Sequence, residues 1–167
     1  MIGIDEFRRV LGHFASGVTI LTTRDHAGRP VGLTASAFTS VSLEPPLVLS
    51  CVDLKARCYA AFDTADLFAV NVLGSHQEHL SRRFASAVFE DKFDGLRHVP
   101  GSLGLPLIEG ALAHIECAKV STYPGGDHTI VVGRVEASTV GDGHPLVYYR
   151  GRYDRLLSSN DGRAPTP

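Results

Sequence analysis

No Gly-x-Gly-x-x-Gly follows a strand-like segment in this chain, and no Gly-x-x-x-x-Gly-Lys-Ser/Thr, Gly-x-Ser-x-Gly or His-Glu-x-x-His occurs anywhere in it. Those absences remove the Rossmann dinucleotide site, the P-loop, and the hydrolase and zinc-protease templates. Cysteine is scarce. The three present, Cys51, Cys58 and Cys117, are odd in number and form no Cys-x-x-Cys. Neither a disulfide framework nor a zinc site is indicated, and free thiols fit a reducing cytosol. Excess charge is missing too. Sixteen Lys and Arg against 18 Asp and Glu leave a net charge of −2, with no clustered basic segment. Nucleic acid is therefore not the expected partner, since neutralising phosphates takes clustered cations. No apolar run reaches bilayer length, and the first seven residues hold two acids and no long apolar core. The chain is read as having no membrane span and no secretory signal, which makes the cytoplasm the expected compartment.

Its 167 residues, 44% apolar and 20% charged, suit one globular domain that buries about two thirds of its unfolded surface. That domain is expected over residues 1–157, followed by a polar, disordered tail over 158–167. Phe7, Val10, Leu11 and Phe14 recur at helical spacing after Asp5, predicting an amphipathic helix of about three turns. Segments 18–23 and 31–36 read as a hairpin around the turn 25–30. Segment 47–52 is apolar on both faces, hence expected to be a central strand. Strands are also predicted over 67–73, 111–121, 129–138, 146–149 and 153–157. Helices are predicted over 56–65 and 77–85, and residues 89–106 read as irregular. Many short strands, with helices that do not alternate strictly with them, favour an antiparallel barrel with peripheral helices over a doubly wound parallel sheet.

Two polar clusters stand out. Thr34-Ala35-Ser36-Ala37-Phe38-Thr39-Ser40-Val41-Ser42 places hydroxyls and backbone amides between strand-like segments. Such a stretch either cradles the polar edge of a flat ligand or a phosphate, or is a serine-rich strand facing water. Gly125-Gly126-Asp127-His128-Thr129 puts a histidine after two glycines. It is either a ligand-approaching turn or a solvent-facing one. Lys55 and Arg57 lie at the start of a predicted helix, where they are either phosphate ligands or a solvated cap. The pairs His76/His79 and His114/Glu116 read as structural, and Cys51 as an inert core thiol.

Taken in order, Gly17-Val18-Thr19-Ile20, Gly32-Leu33-Thr34-Ala35-Ser36-Ala37-Phe38, Ser42-Leu43-Glu44-Pro45-Pro46-Leu47-Val48, Phe68-Ala69-Val70-Asn71-Val72-Leu73, Leu80-Ser81-Arg82-Arg83-Phe84-Ala85, Lys92-Phe93, Gly125-Gly126-Asp127-His128-Thr129-Ile130 and Pro145-Leu146-Val147-Tyr148-Tyr149-Arg150-Gly151-Arg152-Tyr153 resemble the flavin reductase-like family. These short NAD(P)H:flavin oxidoreductases supply reduced flavin to two-component monooxygenases. The resemblance implies a mainly β, FMN-binding split β-barrel that works as a homodimer. It implies FMN or FAD as the flavin, NADH or NADPH as hydride donor, and a monooxygenase as recipient of reduced flavin. It also implies site residues. Thr34, Ala35, Ser36 and Ala37 would line the flavin; Cys51, Val52 and Asp53 would flank its ring. Lys55 and Arg57 would sit near phosphate, Ser81, Phe84 and Ala85 would close the site, and Lys92 and Phe93 would join it. His128 would meet the nicotinamide, with Tyr153 as an aromatic neighbour. Alternatives are a deazaflavin enzyme, a reductase acting on another substrate through retained FMN, and a barrel that binds flavin or haem to sense or store it.

Overall fold

In a computed structural model, which describes residues 1–156, the chain is mainly β and antiparallel. The tail expected over 158–167 lies outside the described residues. The order is α1 (Ile4–Leu11), β1 (Ser16–Gly17), β2 (Thr19–Arg24), β3 (Pro30–Ala35), β4 (Phe38–Leu43), β5 (Pro46–Asp53), α2 (Tyr59–Thr64) and β6 (Leu67–Val72). A short 3-10 turn (Ser75–Gln77) leads into α3 (Glu78–Ala85). There follow β7 (His98–Pro100), β8 (Pro106–Ile108), β9 (Ala113–Gly125), β10 (His128–Val140), β11 (Val147–Tyr149) and β12 (Arg152–Asp154).

Seven strands form the main sheet in the order β3-β2-β6-β9-β10-β5-β4, and its edge strands β3 and β4 make no ladder with each other. β2 is β-branched or aliphatic except at its end and is buried on both faces. Leu21 packs with Leu33, Phe68, Val70, Cys117 and Val131, under Phe62 of α2. Ile20 points the other way, into Val18, Leu73, Leu146 and the α3 side chains Leu80 and Phe84. Alternating side chains of one strand thus serve two cores.

Buried polar groups hold the sheet to the segment read as irregular. Asn71 is fully buried. Its Nδ2 donates to the Ile20 carbonyl (2.9 Å) and to Thr22 Oγ1 (3.1 Å), and its Oδ1 accepts from the Ile108 amide (2.8 Å). The Thr22 hydroxyl donates to the Pro106 carbonyl at 2.7 Å. Glu116, also buried, accepts from the amides of Ser102 and Leu103, each at 2.8 Å. These bonds fix the turn at 101–104 and the small ladder β7–β8. That ladder was not foreseen, because its prolines and glycines masked two short strands. Gly133 lies at a register shift in the β9–β10 ladder, where an added Cβ would come within 2.5 Å of the Phe68 ring.

Of the two readings of 34–42, residues 38–43 take the strand: β4 lies at the sheet edge, paired to β5 through a turn whose Glu44–Pro45 peptide is cis. Two further expectations are corrected. β5 is next to the edge and alternates in burial, with Val48, Ser50 and Val52 covered and Leu47, Leu49 and Cys51 half-exposed on the opposite face. The first helix has the amphipathic spacing anticipated for it, yet α1 spans only 8 residues and buries none of them.

Candidate functional site

The two polar clusters flank the end of one strand, β5, from its two sides. β10 runs antiparallel to β5 with His128 opposite Asp53, Thr129 opposite Val52 and Ile130 opposite Cys51. The Leu54 amide donates to the Asp127 carbonyl at 3.1 Å. Ser36 and Ala37 form an exposed bend between β3 and β4 on the other side of the same strand end. The Ala37 carbonyl accepts from the Cys51 amide (3.1 Å) and the Ser50 hydroxyl (2.8 Å). Backbone of 36–37 and the tip of the β9–β10 hairpin thereby lie on either side of the end of β5, and this strand end is the candidate mouth.

His128 is partly buried at that mouth. Its Nδ1 lies 2.7 Å from Asp127 Oδ1, which leaves Nε2 without a hydrogen-bond partner among the described residues. The hydrogen bond from His128 holds the Asp127 carboxyl below the ordinary carboxylate value, with Lys55 adding to the effect. Gly126, at φ +74, closes the turn in a backbone conformation that side-chain-bearing residues avoid. From the α2 side, Tyr59 OH and Thr129 Oγ1 are 3.0 Å apart and tie that helix to β10.

A hydroxyl chain supports the β3 side. The Thr34 hydroxyl donates to the Ser81 carbonyl (2.7 Å), and Ser81 Oγ lies 2.8 Å from Tyr153 OH. The Arg82 guanidinium sits 4.8 Å from the Tyr153 ring centroid. Ser81 and Phe84 are fully buried, and Phe84 meets Phe93 edge to face at 5.1 Å. The side chains of Ser81 and Phe84 thereby pack behind Thr34 and Tyr153, with Phe93 against Phe84. Ala35 and Val52 are likewise buried, whereas Ala85 is exposed at the end of α3.

A groove of about 710 Å³ opens beside β3, between α2 and residues 89–93, and Gly32, Arg57, Cys58, Phe89, Lys92 and Phe93 help to line it. Lys92 donates to the Phe84 carbonyl. Burial, and secondarily the Arg57 charge, lowers the Lys92 ammonium from the ordinary lysine value, against an opposing influence of Cys58. Neither Lys92 nor Arg57 makes an ion pair among the described residues. Both are therefore available to an anion. Lys55 and Arg57 precede α2 in a turn where the Lys55 amide donates to Asp53 Oδ1 (2.8 Å), so they are not on the helix as anticipated. Burial raises the thiols of Cys51 and Cys58 and pushes that of Cys117 up to about 12. None is an activated nucleophile. The core thiol is Cys117, since Cys51 is half-exposed.

The family model for a flavin reductase-like domain matches residues 11–157. The chain belongs to this family. The flavin reductase-like chain is 43% identical over 162 residues to the flavin-dependent monooxygenase reductase subunit HsaB of Rhodococcus jostii (strain RHA1), covering 96% of this chain and 81% of that one. It is 45% identical to an NADH-dependent flavin reductase of a Rhodococcus species, covering 89% and 84%. Among solved structures, the NADH:FAD oxidoreductase SgcE6 of Streptomyces globisporus C-1027, in complex with NAD and FAD fragments, superposes with a TM-score of 0.87. Identity there is 42%, and 94% of each chain is covered. For a flavin reductase-like domain, two signals in the chain went unread. Asp127, adjacent to His128, orients it, and Cys58 with Gly32 forms part of the groove wall.

Proposed function

We propose that the protein is an NADH-dependent flavin reductase that supplies reduced flavin to a monooxygenase partner. The observation that carries this is the β5–β10 register, which sets His128 and Asp127 beside the Cys51–Asp53 strand end, across from the Ser36–Ala37 bend. The flavin supplies the redox chemistry, accepting at N5 a hydride from the nicotinamide C4. The chain's task is to stack and orient two flat rings and limit water between them. Backbone at Thr34–Ala37 and Cys51–Asp53 takes the flavin ring, with Thr34 steadied through Ser81. Arg57 and Lys92 take the phosphate, assisted by Lys55. Asp127 engages His128 Nδ1 and turns Nε2 toward the nicotinamide.

The reading extends to a homodimeric split barrel. Edges β3 and β4 stay unpaired with each other, and the apolar face of α1 finds no cover, with Ile4, Phe7, Val10 and Leu11 at least half exposed. Leu43, 93% exposed on edge strand β4, adds to that surface. Such a surface suits a second copy of the chain. Among the described residues no helix is long and apolar enough to cross a membrane.

The test is aerobic NADH oxidation by the purified protein with no flavin, with FMN and with FAD. Turnover that depends on added flavin is the expected result. Folded protein that binds flavin but oxidises no NADH would instead indicate a binding module or a deazaflavin enzyme. His128→Ala is expected to raise KM for NADH about five- to ten-fold, the scale of one lost hydrogen bond, with flavin affinity unchanged. An unaltered KM for NADH would take His128 out of the nicotinamide site.

A further inference from the structure

We infer that the β11–β12 hairpin is a docking surface for an acidic segment of a partner protein. The function proposed above supplies such a partner, the monooxygenase that receives reduced flavin, and the inference rests on that reading only for the partner's identity.

The hairpin is a local excess of positive charge on an acidic chain. Residues 148–155 hold three arginines against one aspartate, in a protein whose net charge is −2. Arg150, Arg152 and Arg155 are all exposed, and none makes an ion pair among the described residues. Arg150 and Arg152 line a cavity of about 570 Å³ together with Tyr149, Tyr153 and Asp154. The carboxylate in that lining, Asp154, accepts from the Arg155 amide at 2.8 Å.

The tip holds its arginine against backbone preference. Arg150 has φ +48, the one positive value outside glycine among the described residues. With Gly151 at φ +77 it forms the tight turn joining β11 to β12, a turn that favours asparagine or glycine at this position. The Arg150 amide donates to the Gly12 carbonyl at 2.8 Å, which fixes the tip on the end of α1. A guanidinium kept where an easier residue would serve the turn points to a use for the guanidinium.

The hairpin is also braced. The Tyr153 ring meets that of Tyr148 at 5.4 Å between centroids, lies 4.8 Å from the Arg82 guanidinium, and its OH is 2.8 Å from Ser81 Oγ. Tyrosine and arginine on a rigid frame are the residues that carry most binding energy at protein interfaces. The planar fork of arginine matches a carboxylate with two parallel hydrogen bonds. Nucleic acid would need a longer basic track than one hairpin on an acidic chain. Residues 157–167 carry one aspartate and one arginine, so the segment that follows the hairpin brings no acidic excess of its own. The surface also adjoins the site. Ser81, bonded to Tyr153, accepts through its carbonyl from the Thr34 hydroxyl at 2.7 Å, so a protein seated here stands close to the strand proposed to line the flavin.

Fluorescence anisotropy of a labelled oligoglutamate peptide is measured with the unaltered protein and with the double variant Arg150→Gly, Arg152→Gln, at low salt and at about 0.15 M. Glycine is at ease at positive φ, so the variant keeps its turn and is expected to reduce flavin with NADH at the unaltered rate. The peptide is expected to bind at low salt, to weaken as salt screens the surface, and to lose about ten-fold in affinity in the variant, the scale of two exposed ion pairs. No binding at low salt, equal affinity for the variant, or tighter binding of oligo-dT or of phosphatidylglycerol vesicles than of the peptide overturns the docking surface. Unaltered protein that oxidises no NADH with either flavin overturns the functional reading instead, and the peptide titration does not depend on that result.

Discussion

Glutamine at both Arg57 and Lys92 is expected to weaken FMN and FAD binding by about 100-fold or more, since each charge-assisted hydrogen bond to a phosphate contributes about 1.5–3 kcal/mol. Riboflavin carries no phosphate, and its affinity is expected to stay within the scatter of the measurement. The comparison separates loss of anion recognition from loss of fold, because a misfolded variant fails on all three ligands. If riboflavin binding falls in step with FMN, the two cations are not phosphate ligands.

The same lysine carries a pH signature. Burial lowers Lys92 from the ordinary value of 10.5, with Arg57 adding to the shift. As pH rises through that lowered value, the native state gives up the proton before the unfolded chain does. The unfolded state then binds more protons, so stability attributable to Lys92 rises with pH across the window between the lowered value and 10.5. Affinity for the flavin phosphate falls over the same window, because the neutral amine no longer attracts an anion. Stability and affinity thus move in opposite directions. Lys92→Gln, titrated in parallel, is expected to flatten both trends.

Asn71→Ala is expected to cost about 3–5 kcal/mol of stability, among the largest effects of any single substitution in this fold. The side chain is fully buried and makes three hydrogen bonds, to Ile20, Thr22 and Ile108. Alanine strands the Ile108 amide and the Ile20 carbonyl lone pair away from water and leaves a cavity. Thermal unfolding is expected to begin about 6–20 °C lower for a domain of this size. Strand β8 is the first element to open, exposing Leu105 and Leu107 from their shared cluster with Ala69. A melting temperature within the error of the unaltered protein would mean that Asn71 does not hold the 106–108 segment to the sheet.

Much of the fold was legible because its central strands are written in β-branched residues. Segments 18–23, 31–36 and 67–73 announce β2, β3 and β6 nearly to their ends. Edge strand β4 was legible only as one of two readings, because Thr39, Ser40 and Ser42 face largely outward and carry no hydrophobic alternation. Half-exposed Leu47, Leu49 and Cys51 made β5 look central, since local sequence does not distinguish a face covered by the same chain from one left open. The two polar clusters could be named from their glycines and hydroxyls, but their placement about one strand end depends on the β5–β10 register, a non-local pairing that no local pattern encodes. The groove beside β3 was hidden for a related reason. His26 and Arg29 read as an ordinary turn, and only the packing of α2 and the 89–93 segment over β3 gives that turn something to face.

The strand order carries a consequence for how the chain is made. In the main sheet, β5 is bonded only to β4 and β10, so the β4–β5 hairpin has no ladder to β2, β3 or β6 until β10 arrives. A nascent chain that has emerged only through residue 112 holds β2, β3 and β6 as one half of the sheet and the β4–β5 hairpin as the other, with no strand ladder between the two. The β9–β10 hairpin, last of the main sheet to be synthesised, is the clasp. It brings His128 and, in the same closure, positions the two halves that had waited for it. Closing so many non-local pairings at once is slow. Until then the edges of β5 and β6 stand open to other chains.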